Sequence, residues 1–328
     1  MKPLLIKLLR FVRLYRSFSV PASITKNFIN LNESDTDKLN NLISGFCKPE
    51  GYDSAENRIL DINALAHGRL NKFRSTHIPF LIELVGLKGK EILEIGCGTG
   101  SSTLALSEQG ASVTGIDIDT SALDVARQRL KLFGIESNFQ CLNAQDIKKH
   151  YSNKKWDIII FYASLEHMTP KERKQSLSAA SEILNPDGYL CIFGSPNRLW
   201  PYDLHTSQLS FYMWLQDELA VDYARFSDRT EFSKIHKMKY NNASYESLYR
   251  WGRGVSFHEI EVALGGISKI EVIGSLPIYL RRYSLIQKIS YMLSDEYKYK
   301  SILAKYGPKN IHHGFYECYM DVIIRLAN

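Results

Sequence analysis

Four groups of residues have types and spacings suited to chemistry. The first is Glu94-x-Gly96-x-Gly98-x-Gly100. Glycines at alternate positions let a ligand approach the backbone where a Cβ would collide. A helix starting just after them aims its free N–H groups and positive dipole end at the same spot. The second is Asp117, at the end of the run Ser112-Val113-Thr114-Gly115-Ile116, whose carboxylate is suited to two hydroxyls of a ribose. The third is Glu166-His167, shortly after the apolar run 156–161, and the fourth is His205, with Asp203 as an orienting partner. An imidazole beside a reacting hydroxyl acts as a general base, a contribution of about 10²–10⁴-fold.

The elements that must position these residues read as an alternation of strands and helices. Ile92–Ile95 is a buried parallel strand, and helical spacing resumes at Leu104, Ala105 and Leu106. Residues 112–116 form the second strand, and 120–133 a helix (Ala122, Leu123, Val125, Ala126, Leu130) closing at Gly134. A short strand at 138–142 stops at Asn143-Ala144-Gln145-Asp146. Residues 156–161 are the fourth strand, 170–184 a helix with Pro170 at its start, and Asn185-Pro186-Asp187-Gly188 a turn into the fifth strand, 189–193. Residues 256–264 read as a helix, with strands at 270–273 and 317–324 completing seven. This βαβ alternation predicts an α/β fold, a doubly wound and mostly parallel sheet. Ligands of such sheets bind at the strand ends on the glycine edge.

The glycine turn does not fit the nicotinamide fingerprint G-x-G-x-x-G, because Ser101 stands where the third glycine belongs. With strand, helix and a terminal acid around it, the turn resembles the first motif of class I S-adenosylmethionine-dependent methyltransferases. Glu166-His167 resembles the E-H after the fourth strand of small-molecule methyltransferases, including those of quinone biosynthesis. The corner 185–188 is similar to the family's L-x-P-x-G mark. The phrase PNRLWPYDLHTSQL is loosely similar to methyltransferases of surface-glycan or lipid-linked pathways. The resemblance covers residues 90–195 well and the last two strands weakly.

It implies a Rossmann-like methyltransferase with S-adenosylmethionine as cofactor. Gly96, Gly98 and Gly100 would hold the methionine portion, with Glu94 ordering the turn or binding the amino group. Asp117 would bind the ribose and Ile118 pack on the adenine. The Asn143-Ala144 corner would lie beside the adenine, with Asn143 where the family has an acid and Asp146 as the alternative. Tyr162, at the fourth strand's end, is counted with the cofactor contacts. His167 is the first candidate base and His205 the second, with Glu166 beside them. The expected reaction is O-methylation of a small-molecule, glycan or lipid-linked acceptor near a membrane, with a quinone-like or lipid acceptor as the alternative. A reading of another class is a catalytically inactive scaffold that binds the cofactor.

Five cysteines lie far apart with no C-x-x-C pair, so neither a disulfide framework nor a metal site is expected. Residues 1–32 hold Lys2, Lys7, Arg10, Arg13, Arg16 and Lys26 and no acid, which accounts for the whole net charge of +6. Residues 33–328 are formally neutral. That neutrality, and Tyr162-Ala163-Ser164-Leu165 where an N-P-P-Y-type motif would stand, argue against nucleic acid as acceptor. A protein acceptor stays open.

Residues 3–16 fit an amphipathic helix, with Leu4, Leu5, Leu8, Phe11, Val12 and Tyr15 on one face and the basic residues on the other. It suits an anionic membrane surface, the protein's own core or a partner, or a mitochondrial targeting sequence. The expected location is cytoplasmic, peripheral on the inner membrane face or, alternatively, mitochondrial. The expected organisation is a basic helix and linker (1–53) followed by a methyltransferase domain (54–328), with insertions 196–253 and 275–315 forming a substrate cap. Residues 54–86 carry helical periodicity, and His67, Arg69, Asn71, Arg74 and His77 are polar groups that could face the cofactor.

Overall fold

The computed structural model describes residues 28–52, 54–283 and 285–327. The expectation for residues 3–16 lies outside them. Among the described residues, no helix is long and apolar enough to cross a membrane.

Seven strands form one sheet: β1 (Glu91–Ile95), β2 (Ser112–Asp117), β3 (Asn138–Cys141), β4 (Trp156–Tyr162), β5 (Leu184–Pro196), β6 (Ile270–Ser275) and β7 (Tyr319–Leu326). Their order is β3-β2-β1-β4-β5-β7-β6. The first five are parallel, and β7 runs antiparallel between β5 and β6. The chain moves outward from β1 to β3 and then returns to β4, so the order reverses between β1 and β4. Ile95 pairs with Ile116 on one side and Phe161 on the other, which brings the C-terminal ends of β1, β2 and β4 level. The crevice outside that switch point is where doubly wound sheets bind ligands.

Alternation along the strands divides the core into two layers. Ile92, Ile158, Ile160, Cys191 and Phe193 face one side, while Leu93, Ile95, Ile159, Phe161, Leu190 and Ile192 face the other. The helices before the sheet cover the first side: α1 (Glu33–Phe46), α2 (Ala55–Asn63), α3 (Arg69–Lys72) and α4 (Ile78–Leu84), the last three joined by wide π-helical turns. After β1 comes α5 (Ser101–Ser107), and after β2 comes α6 (Thr120–Leu132); both pack on this side. The short α7 (Ile147–His150) and then α8 (Pro170–Ile183) cover the other.

Residues 33–46 are not a linker. Asn32 caps α1 by accepting from Asp35 N–H at 2.9 Å, and Leu39 and Ile43 are buried in the first core layer. Their i, i+4 spacing is the apolar stripe, diluted in sequence by polar neighbours. Nor is 185–188 a separate turn: the strand runs from Leu184 through it, with a register shift against β4.

After β5 the chain forms α9 (Asp217–Tyr223), α10 (Thr230–Ser233) and α11 (Asn242–Trp251) around a small core of Tyr212, Met213, Ala220, Val221, Ala224, Phe232, Ile235 and Leu248. It returns to the sheet through α12 (Phe257–Leu264), which joins the second core layer. Between β6 and β7 lie α13 (Leu276–Leu280), α14 (Leu285–Met292) and α15 (Asp295–Tyr306).

Candidate active site

The turn after β1 holds Gly96, Gly98 and Gly100 at φ +75°, +50° and +76°. A Cβ on Gly96 would sit 2.6 Å from Ser164 Cβ, and one on Gly100 would sit 2.9 Å from Ala126 Cβ. Two of the three glycines thus serve close packing inside the protein. A Cβ on Gly98 would meet nothing within 4 Å, so this is the residue that faces open space. Glu94 is fully buried and accepts from the hydroxyls of Ser102 and Thr103 at the start of α5. It therefore holds the turn to its helix, and burial pushes its carboxyl up to about 7.

Asp117 accepts from Gly98 N–H through Oδ2 and from Asp119 N–H through Oδ1, each at 2.9 Å. Each oxygen keeps a lone pair. Beside it Ile118 is 66% exposed, a large apolar side chain left uncovered at the rim. Asn143 is exposed and its Oδ1 caps Gln145 N–H; Ala144 is buried and Asp146 exposed. Tyr162 packs edge-on to Phe73 and His77, and burial raises its phenol.

Glu166 follows β4 and is fully buried, which raises its carboxyl. Ser195, from the end of β5, donates to its Oε2 at 3.1 Å, while Oε1 has no hydrogen-bond partner. His167 Nε2 lies 4.0 Å from Oε1 and His205 Nε2 lies 3.8 Å from it. The structure thus brings Glu166, His167 and His205 together across the insertion. His167 is half-exposed, and its Nδ1 donates to Arg250 O at 2.9 Å. Burial holds the His205 imidazolium down, to about 4, so that ring is neutral near pH 7.

Asp203 does not orient the His205 ring. Its oxygens accept from the backbone of His205, Thr206 and Ser207 and from the Ser207 hydroxyl, and the His205 Nδ1 meets Thr206 Oγ1 at 2.9 Å instead.

Of the polar residues on the helices before the sheet, His67 bonds Asn40 and Arg74 pairs with Glu108, so neither faces the crevice. His77 is buried, 3.5 Å from Asp321. Arg69 and Asn71 are exposed, and the charge of Arg69 is felt at Tyr162 and His205.

Two buried arginines absent from the sequence reading hold this geometry. Arg173 on α8 donates to the carbonyls of Leu165, Glu166, Arg253 and Gly254 and pairs with Glu259, which locks the Glu166 corner to the insertion's return. Arg129 on α6 donates to Ser101 Oγ and Leu65 O, tying α5 to the helices ahead of the sheet. Arg129 interrupts an otherwise apolar helix stripe and Arg173 stands at the head of one, and those positions were the available signal.

These residues fit S-adenosylmethionine. Gly98 opens onto space that a side chain would fill, Asp117 has lone pairs to spare, Ile118 offers an uncovered apolar surface, and Ser164 Oγ is buried without a partner.

Residues 92–188 match the family described as a methyltransferase domain. The ubiquinone biosynthesis O-methyltransferase of Coxiella burnetii is 30% identical over 166 residues, covering 50% of this chain and 69% of that protein. That of Actinobacillus pleuropneumoniae is 28% identical over 180 residues, covering 52% and 67%. Similar solved structures include an S-adenosylmethionine-dependent methyltransferase from Clostridium acetobutylicum (19% identity, 47% of this chain and 63% of that one, TM-score 0.39). Another is the magnesium protoporphyrin IX methyltransferase of Synechocystis with bound SAH (16% identity, 73% and 90%, TM-score 0.43). On its sequence relatives, its strand order and its glycine turn, the chain belongs to the class I S-adenosylmethionine-dependent methyltransferases, enzymes that take their methyl group from that cofactor.

Proposed function

We propose that the enzyme methylates a hydroxyl oxygen of a small-molecule acceptor, with a quinol-like phenol as the first class to test. The observation that carries this reading is the convergence of Glu166, His167 and His205 on the sheet edge that also bears the glycine turn and Asp117. The similarity to ubiquinone biosynthesis O-methyltransferases supports the acceptor class.

Bound S-adenosylmethionine supplies a methyl already activated on a sulfonium. The chain's own part is to seat it, align the acceptor and receive a proton. The turn at Gly96, Gly98 and Gly100 seats the methionine portion, and Glu94 keeps that turn on α5. Asp117 takes the ribose hydroxyls. Ile118 and Ala144 would flank the adenine, the second lone pair of Asn143 Oδ1 would accept from its amine, and Tyr162 would line the cofactor seat from the end of β4. Because Arg250 O can only accept, His167 carries its proton on Nδ1 and presents a lone pair at Nε2. That lone pair takes the acceptor's hydroxyl proton, worth about 10²–10⁴-fold in rate. His205 is the second candidate. The insertion 196–253 caps the acceptor side.

The test follows methyl-labelled S-adenosylmethionine, added with pure enzyme to an extract of cells lacking the protein. Label is expected in the organic small-molecule fraction and is lost with His167→Ala. Label in protein or nucleic acid overturns the acceptor class, and cofactor binding with no label anywhere marks a scaffold. We also propose that residues 3–16 dock the enzyme on anionic membranes. Full-length protein then sediments with anionic liposomes and a 30–328 fragment does not; equal sedimentation removes this proposal.

A further inference from the structure

Glu166, His167 and His205 each offer a ligand atom, and these atoms lie within 4.8 Å of one another. Glu166 Oε1 is buried and has no hydrogen-bond partner, although two imidazole nitrogens stand 4.0 and 3.8 Å away. Those gaps are too long for direct hydrogen bonds, and the protons of both rings are committed elsewhere. His167 Nδ1 meets a carbonyl, Arg250 O, and so must donate. Thr206 Oγ1 spends its single proton on the carbonyls of Trp251 and Gly252, so it accepts from His205 Nδ1. Both Nε2 atoms therefore turn lone pairs toward the stranded carboxylate oxygen. With both rings neutral, two Nε2 lone pairs and the unpartnered carboxylate oxygen face one another across a gap that a cation would bridge.

We propose that Glu166, His167 and His205 bind a divalent metal ion of the zinc class. Two imidazoles and a carboxylate suit zinc or cobalt, whereas magnesium prefers oxygen ligands alone. Ligands bonded at about 2.0–2.2 Å around a tetrahedral ion stand roughly 3.4 Å apart, so the two carboxylate–imidazole gaps close by several tenths of an ångström on binding. The outer shell is already in place. Each ring donates its Nδ1–H to a fixed protein oxygen, the arrangement that sets the tautomer of metal-binding histidines. The cation also supplies the partner that a buried carboxylate oxygen lacks.

Three protein ligands leave a fourth position for the acceptor hydroxyl, whose acidity rises on binding. The oxygen's electron pair forms the new bond to the methyl carbon as the carbon–sulfur bond breaks, and the hydroxyl proton leaves to solvent water. This inference rests on the site assignment of the proposed function and replaces His167 as the proton acceptor. His205 comes from the insertion, so the cation would also fix that segment to the end of β4.

The test uses full-length protein without an affinity tag, stripped with chelator, dialysed and titrated with Co²⁺. Visible ligand-field bands saturating at one equivalent, and displaced by Zn²⁺, are expected. Glu166→Gln and His205→Ala should each weaken the affinity at least about tenfold. The partly exposed His205 keeps the test sound if Glu166→Gln fails to fold. His150→Ala, outside the group, should leave the titration unchanged. No bands in protein that still binds S-adenosylhomocysteine, or bands that survive His205→Ala, overturn the metal site and leave His167 as the base. Loss of S-adenosylhomocysteine binding in the unaltered protein instead sinks the cofactor seat, whatever the metal result.

Discussion

A methyl group on Gly96 would stand 2.6 Å from Ser164 Cβ, whereas one on Gly98 would meet nothing within 4 Å. The two substitutions should therefore separate folding from binding. Gly98→Ala forces a side chain to φ +50° and should cost about 1 kcal/mol of stability. It should weaken S-adenosylmethionine binding at least about tenfold, because the new methyl enters ligand space. Gly96→Ala should lose several kcal/mol of stability, on the order of an overpacked core. Denaturant titration and calorimetry on both variants check this; equal loss of stability would mean that Gly98 is also packed against protein. The turn's spacing and its acid were legible because strand, glycines and helix are contiguous. Which glycine faces the ligand was not legible, since Ser164 and Ala126 reach the turn from other elements. The sequence grouped His205 with His167 and Glu166, but not the ring's own partner: Asp203 looked like it only because it is near in sequence, and Thr206 holds the ring instead.

At the scale of elements, Arg173 is the clasp between α8, the Glu166 corner and the return of the insertion. Its guanidinium is fully buried, and removing it takes a donor from four carbonyls and from Glu259. Of these, Leu165 O keeps Met168 N–H, Glu166 O keeps Arg253 N–H and Glu259 keeps Ser256 N–H. Arg173→Met should cost about 3–5 kcal/mol. Hydrogen exchange should rise first at the amides of 165–168 and 253–255, because local opening starts where contacts are lost. Uniform exchange across the sheet would show that the clasp is global rather than local. The strands and the helices between them were legible from apolar runs and 3.6-residue spacing. Helix α1 was not, because its stripe is narrow and its surface, from Glu33 to Lys38, is polar enough to pass for a linker.

Across the whole molecule, the parallel run of five strands follows from alternation in the sequence, and burial sets how stability responds to pH. Glu94 ordinarily titrates at 4.5 and is pushed up to about 7 by burial. Its folded state holds the proton more tightly than the unfolded state does. The stability it permits is therefore full below about 4.5 and falls as pH rises toward about 7. Glu94→Gln, neutral at every pH, with an amide oxygen that accepts from one of the two hydroxyls and an NH2 that donates to the other, should flatten that fall in denaturation series run at pH 5 and pH 7.5. Equal slopes in the two proteins would place the pH dependence elsewhere, with the buried Glu166 next in line.

The most direct measurement is a crystal structure with S-adenosylhomocysteine bound. The account predicts its ribose hydroxyls on Asp117, its amino-acid portion over Gly98, and its sulfur facing Glu166, His167 and His205. A ribose bound away from Asp117, or a sulfur turned from that group, would contradict it.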